Sequence, residues 1–387
     1  MLIITGSSLA NKKVIILWPP FFLTKNDFMR KLSMICVLLL LVVTSFSQQR
    51  STENVMIVTL DGMRWEEVFG GVDSALMNDK KYTRDSAGVA SKFWADNINE
   101  RRKKLFPFLW NTIEKKGQLY GNRKLDNKVN NANRYKFSYP GYNEIFTGYP
   151  DTAVNSNDKN WNKNTNVLEF INNQNAYKGK VAAFTTWDVF PYILNTKRSG
   201  LYVNADVDSL KFSNEKLQLI NDIQFLTTRP IGVRPDVLTY FAAREYMKAY
   251  KPKVLYIAFD ETDDMAHEGT YDLYLGSAYA EDRMIEDLWN YIQSDAQYKN
   301  KTTLLITCDH GRGDKDKNNW RHHGEKIDEA GEIWLAAIGP DTKPLGEVKI
   351  SMQLYQEQYA ATIAKLIGLN FTAEHPVAIP IEAVYIK

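Results

Sequence analysis

The sequence predicts an α/β fold in which a mostly parallel central sheet carries helices on both faces. Three observations lead there. Short apolar runs rich in Val, Ile and Leu recur along the chain, segments of helical period separate them, and several runs end in Asp or His. Strands covered on both faces read as continuous apolar stretches, and these runs do.

In chain order the strand-like runs fall at 55–60, 180–185, 254–259, 303–307 and 333–338. Between them, helical periodicity marks 106–116, stopped by Gly117; 167–175; 235–249, before Pro252; 271–294; and 352–366, before Gly368. Two stretches break the alternation: 121–136, rich in Asn and charge, and 195–232, which has no clear period. Both are expected to lie over the sheet edge as lids or cap insertions. No linker rich in Pro, Gly or Ser divides the 387 residues, so 48–387 reads as a single domain with those two insertions.

Residues 1–47 read differently. Met29-Arg30-Lys31 is a basic start, 34–43 is apolar, and Thr44-Ser45-Phe46-Ser47 offers small residues for cleavage after Ser47. The apolar run is well short of the ~20 residues that span a bilayer, so a cleaved signal peptide is favoured over a permanent membrane anchor. The mature chain is then expected to be exported, to a periplasm or outside the cell, and Met29 is a better start than Met1. Cys36 sits at the start of the apolar run and not after it, which disfavours a lipoprotein, and with Cys36 removed Cys308 has no partner for an internal disulfide.

The formal net charge of +2 comes from 48 basic and 46 acidic residues interspersed along the chain, without the basic stripe of a phosphate-backbone binder. A structural nucleic-acid partner is not expected. The sequence leaves the oligomeric state open.

Chemistry concentrates where the runs end. Asp61 follows 55–60, Asp260 to Asp263 follow 254–259, and Asp309-His310 follow 303–307. Carboxyl ends of strands line the ligand crevice of an open α/β sheet, so these groups should converge in space. Of five histidines, four lie between 267 and 323, each near a carboxylate or Gly: His267, His310, His322 and His323. Mixed His and carboxylate donors in two sets suit a pair of divalent ions.

The order Thr59-Leu60-Asp61-Gly62, then Ser138-Tyr139-Pro140 opening a helix, then Asp263 with His267, then Asp309-His310-Gly311, then His323-Gly324, resembles the alkaline phosphatase superfamily. It is most similar to the branch of type I phosphodiesterases and nucleotide pyrophosphatases. There a Thr-Phe-Pro-Asn-His segment precedes Thr-Gly and Tyr-Pro. Here Ser138-Tyr139-Pro140-Gly141-Tyr142 precedes Thr147-Gly148 and Tyr149-Pro150 at the same spacing. The resemblance spans 55–324.

The resemblance implies that Asp61, Asp309 and His310 hold one metal, which also contacts Ser138, and that Asp263, His267 and His323 hold the other. Zinc is preferred at both, with manganese or magnesium as alternatives. Ser138 is the implied nucleophile, at the positive end of its helix, attacking phosphorus in line to give a phosphoseryl enzyme that water hydrolyses. By itself Ser138 would read as a helix N-cap. His323 is chosen over His322 because it directly precedes Gly324, and Asp263 over Asp260 and Asp264 for its spacing to His267.

The substrate is expected to be a small phosphate ester, with monoester and diester both open. Asn155 or Asn157 would supply an amide donor, Arg64 and Arg312 positive charge, and Trp187, Phe190 and Tyr192 a wall for the leaving group. Two rivals remain: a sulfatase of the same superfamily, disfavoured because Tyr142 stands where an Arg is usual, and an inactive metal-binding homologue. His375 reads as a surface residue.

Overall fold

The computed structural model describes residues 50–229 and 232–385, so the expected signal segment, Met29 and Cys36 lie outside the described residues. Its strands are β1 (Asn54–Leu60), β2 (Gln118–Tyr120), β3 (Asn127–Asn130), β4 (Val181–Thr185), β5 (Tyr202–Ala205) and β6 (Val254–Phe259), followed by β7 (Thr302–Thr307), β8 (Glu332–Ile333), β9 (Leu335–Ile338), β10 (Gly346–Glu347) and β11 (Met352–Tyr355). The larger sheet has the order β10-β2-β9-β7-β1-β6-β4-β5, and β9 alone runs against the others. A smaller sheet, β11-β3-β8, stands beside it.

β1, β6 and β7 are buried at every residue. Withdrawing each Val, Leu or Ile from water contributes about 1.5–3 kcal/mol, which sets these three strands at the centre of the core. The helices include α1 (Ser138–Thr147), α2 (Glu215–Leu226), α3 (Asp236–Tyr250), α4 (Glu261–His267), α5 (Tyr271–Ser294) and α6 (Gln358–Leu366), of which α2 packs on α3. On α5 the buried residues Tyr271, Tyr274, Leu275, Ala278, Ile285, Leu288 and Ile292 recur at helical spacing and form one face. α3 packs on β4 and β6, and α5 on β1. Among the described residues no helix is long and apolar enough to cross a membrane.

Three segments depart from the periodicity reading. Residues 333–338 are not one strand: β8 and β9 belong to different sheets and Trp334 stands between them, its indole donating to Met63 O at 3.0 Å. The 106–116 helix is wound as a π-helix over Leu109–Ile113, where Asp282 accepts from the N–H groups of Phe108 (2.7 Å) and Leu109 (3.1 Å). The 352–366 helix is shorter, because 352–355 forms β11 and the helix begins only at Gln358. Within the two expected insertions, 121–136 contributes β3, and 195–232 contributes the edge strand β5 and α2.

Register places the chemistry. Leu60 is paired with Phe259 and Thr59 with Thr307, so the next residues, Asp61, Asp260 and, one step beyond Cys308, Asp309, leave the sheet side by side.

Candidate active site

Asp61 and Asp309 are almost wholly buried, and each has one oxygen bonded and one bare. Asp61 Oδ2 accepts from the Tyr142 hydroxyl at 2.8 Å and Asp309 Oδ1 from Gly62 N at 3.1 Å, leaving Asp61 Oδ1 and Asp309 Oδ2 without a donor. His310 Nε2 faces both bare oxygens, at 3.5 and 3.4 Å, while its Nδ1 lies 2.9 Å from Gly311 O. The carbonyl only accepts, so Nδ1 carries a proton and Nε2 is the ring nitrogen turned to the cleft. Burial, followed by the charge of Asp309, pushes the Asp61 carboxyl well above its ordinary range; burial also raises Asp309. Two bare carboxylate oxygens and an imidazole nitrogen in one buried cleft are the donor set of a divalent cation, which would remove that penalty.

Ser138 opens α1 as its first residue. The cap position is Phe137, extended at φ −147° and ψ 174°, so the hydroxyl is not spent on capping. Ser138 Oγ lies 3.5 Å from His310 Nε2. Tyr142, one helical turn later, is on the same face, which is why its hydroxyl reaches Asp61. Gly141 allows the approach: a Cβ there would come within 2.5 Å of Asp309 O.

A second set adjoins the first. His267 Nε2 lies 3.0 Å from Asp263 Oδ2 and 3.0 Å from His323 Nε2, and Asp263 Oδ1 faces His310 and His323 at 3.7 and 3.9 Å. Asp263, His310 and His323 form one compact donor group, and Asp61, Asp309 and His310 another, with His310 common to both. Burial opposes ionisation of Asp263, but Arg312 foremost, then His267 and His323, holds its carboxyl well below the ordinary range. Burial, with His310 next, keeps His323 neutral by lowering its pKa well below the usual imidazole value. Its Nδ1 turns to Lys136 O at 3.3 Å. His322 is exposed, and Asp264 is pushed up to about 6 by burial and by Asp263.

The residues named for substrate contact scatter. Asn157 Oδ1 accepts from Tyr139 N at 2.9 Å, beside Ser138, and its amide N–H groups have no acceptor among the described residues. Asn155 is exposed on the wall of a cavity of about 440 Å³ lined also by Tyr139 and Trp161. Trp187 meets Phe190 edge-on, and Phe190 packs on Tyr142; Tyr192 lies tilted against Trp161. Arg64 is buried with its guanidinium against Glu66 (3.4 Å) and Glu67 (3.5 Å). Arg312 is buried with every nitrogen turned to protein acceptors. His375 stacks on Tyr149.

Sequence reasoning passed over two residues that build the site. Tyr142 was visible as the i+4 neighbour of Ser138. Glu144 was not: its carboxylate accepts from the N–H groups of Ala132, Asn133 and Glu357, all at 2.8 to 2.9 Å, fixing α1 to two distant segments. Burial pushes Glu144 up to about 7.

Residues 71–376 match the family described as type I phosphodiesterase / nucleotide pyrophosphatase. No curated protein matches. Among solved structures, the alkaline phosphatase PafA is similar at 12% identity and a TM-score of 0.56, over 87% of this chain and 99% of that one. The lipoteichoic acid synthase LtaP from Listeria monocytogenes is similar at 11% identity and 0.55, over 88% and 77%. Murine ectonucleotide pyrophosphatase / phosphodiesterase 5, an inactive form in complex with AMP, is similar at 13% and 0.52, over 84% and 97%. At such identities these likenesses speak for the fold.

Proposed function

The chain belongs to the type I phosphodiesterase / nucleotide pyrophosphatase family, hydrolases of phosphoric ester bonds, and on that premise we propose that it cleaves small phosphate esters through a covalent intermediate on Ser138. One observation carries the reading: Ser138 Oγ faces His310 Nε2, which itself stands between the bare oxygens of Asp61 and Asp309.

Two divalent ions, zinc by preference, held by Asp61, Asp309 and His310 with Ser138 Oγ and by Asp263, His267 and His323, would ease deprotonation of the serine and offset charge on the phosphoryl oxygens. The protein prepares the rest. Tyr142 fixes Asp61, Gly311 O sets the His310 tautomer, and neutral His323 keeps a lone pair available. At the start of α1 Tyr139 N–H is taken by Asn157 Oδ1, Gly141 N–H by Phe137 O, and Pro140 has none, so the Ser138 N–H, with no acceptor among the described residues, is the one left to serve an anion at the helix N-terminus. Asn157 would direct its amide N–H groups at a non-bridging oxygen.

In the first step a bond forms from Ser138 Oγ to phosphorus and the bond to the leaving alkoxide breaks, the serine proton ending, through solvent, on that alkoxide, which departs as the alcohol. In the second, water attacks phosphorus, the bond to Oγ breaks, and the serine recovers a proton. Export rests on the signal-like segment 29–47, and a native N-terminus before Gln48 would contradict it.

The test is hydrolysis of p-nitrophenyl phosphate, bis-p-nitrophenyl phosphate and p-nitrophenyl sulfate by the metal-loaded protein and by Ser138→Ala. The reading expects a phosphate ester to be turned over and the variant to lose at least ~10³-fold in kcat, the order seen when a covalent nucleophile is removed. Turnover of the sulfate alone, or of none, would reject it.

A further inference from the structure

Arg312 takes no part in the steps above, yet its guanidinium is fully buried within the second ligand set. Nε donates to Gly62 O at 3.2 Å, Nη1 to Arg321 O at 2.7 Å, and Nη2 to Asp263 O at 3.1 Å and to Asp263 Oδ1. These acceptors belong to the turn after Asp61, to the loop that leads into His323, and to the helix that carries Asp263 and His267. The backbone makes room for the contact: Gly62 has φ +57°, and a Cβ there would lie 2.5 Å from Asp263 Oδ1 and 2.9 Å from Arg312 Nη2. Asp263 Oδ1 is also the oxygen that faces His310 and His323. A guanidinium carries a permanent positive charge, so it and a divalent ion are drawn to the same oxygen and repel each other.

We propose that Arg312 is a resident counter-ion of the second metal site, balancing Asp263 while the site is empty and opposing the divalent ion when it fills. The inference rests on the assignment of Asp263, His267 and His323 as ligands. Its consequence is a second ion held more loosely than the first, in a site whose metal-free form is already assembled. A residue that merely oriented Asp263 would act with the opposite sign, since its loss would weaken the metal. One that merely packed would, when replaced, destabilise the metal-free and metal-loaded proteins alike.

The experiment compares wild type, Arg312→Gln and Arg312→Lys by thermal unfolding after chelation and after titration with zinc chloride, with zinc affinities from chelator competition. In Arg312→Gln the metal-free Tm should fall more than the loaded Tm, and the weaker zinc step should tighten by about tenfold or more, because an uncompensated buried carboxylate then draws the ion. The tighter step should stay within about threefold, as expected of a site that shares few partners with Arg312. Arg312→Lys, which keeps the charge but cannot reach all of the acceptors of Arg312, should lose Tm in both states yet keep its weaker zinc step near that of wild type. In Arg312→Gln, equal losses of Tm in both states or a weakened or unchanged second step, or a Lys variant whose weaker zinc step tightens as that of Gln does, would overturn the proposal. Should Arg312→Gln fail to fold with and without zinc, Arg312→Lys carries the test, and a change beyond about tenfold in its weaker zinc step would overturn it. A wild type that binds no zinc, manganese or magnesium defeats the ligand assignment instead, and the two failures are thereby told apart.

Discussion

Replacing Tyr142 by Phe removes one oxygen and little else. The ring stays packed, since it meets Phe190 at a centroid distance of 4.6 Å and is fully buried. What is lost is the 2.8 Å hydrogen bond to Asp61 Oδ2, after which both Asp61 oxygens lack a donor. A hydrogen bond to a charged group contributes about 1.5–3 kcal/mol, and loss of a group that orients a metal ligand costs about 10–100-fold in affinity, which converts to about 1.4–2.7 kcal/mol. The two figures are of the same order, and the part of the bond that strengthens when a metal holds Asp61 ionised is the part that should reappear as weaker metal binding. Titrating zinc into chelated Tyr142→Phe and following initial rates should show half-saturation at a concentration about 10–100-fold higher, with kcat at saturating zinc within a few fold of wild type. Half-saturation within about twofold of wild type would show that Tyr142 does not govern the site and would refute the reasoning.

Gly141→Ala places a methyl 2.5 Å from Asp309 O, so α1 must shift; a cost of about 1–3 kcal/mol in stability and a kcat loss larger than the KM change are expected from denaturant melts and kinetics. Burial pushes the carboxyls of Asp282 and Glu144 up to about 7. A raised folded-state value means that their contribution is full below the unfolded carboxylate range and is lost as pH rises through about 7. The metal-free protein should therefore lose stability between about pH 4 and 7, and denaturant melts should show a shallower decline in Asp282→Asn. Chelation should lower Tm most at the alkaline end of that range, because metal-free Asp61 and Asp309 must then carry uncompensated charge; equal shifts at acid and alkaline pH would count against a metal at those residues.

The fold was legible wherever burial alone dictates composition. β1, β6 and β7 are covered on both faces, so their apolar runs announce them, and the ends of those runs announce Asp61, Asp263 and Asp309. The sequence was opaque where a segment's surroundings, and not its own pattern, decide its state. β11 alternates weakly, is half exposed, and runs almost directly into α6, so it reads as more helix. The break at Trp334 depends on Met63, far away in the chain. The same holds for the site: the Tyr142 contact follows from helical spacing once Ser138 is placed, whereas the positions of Arg64, Arg312 and Glu144 depend on acceptors and donors that no local pattern marks.

The central claim is that Ser138 becomes phosphorylated in turnover. Acid quench of the zinc-loaded protein during hydrolysis of bis-p-nitrophenyl phosphate or p-nitrophenyl phosphate, followed by digestion and mass spectrometry, should reveal a phosphoryl adduct on the peptide containing Ser138, absent from Ser138→Ala. Full turnover by Ser138→Ala, with no adduct on any serine of the wild type, would contradict the account.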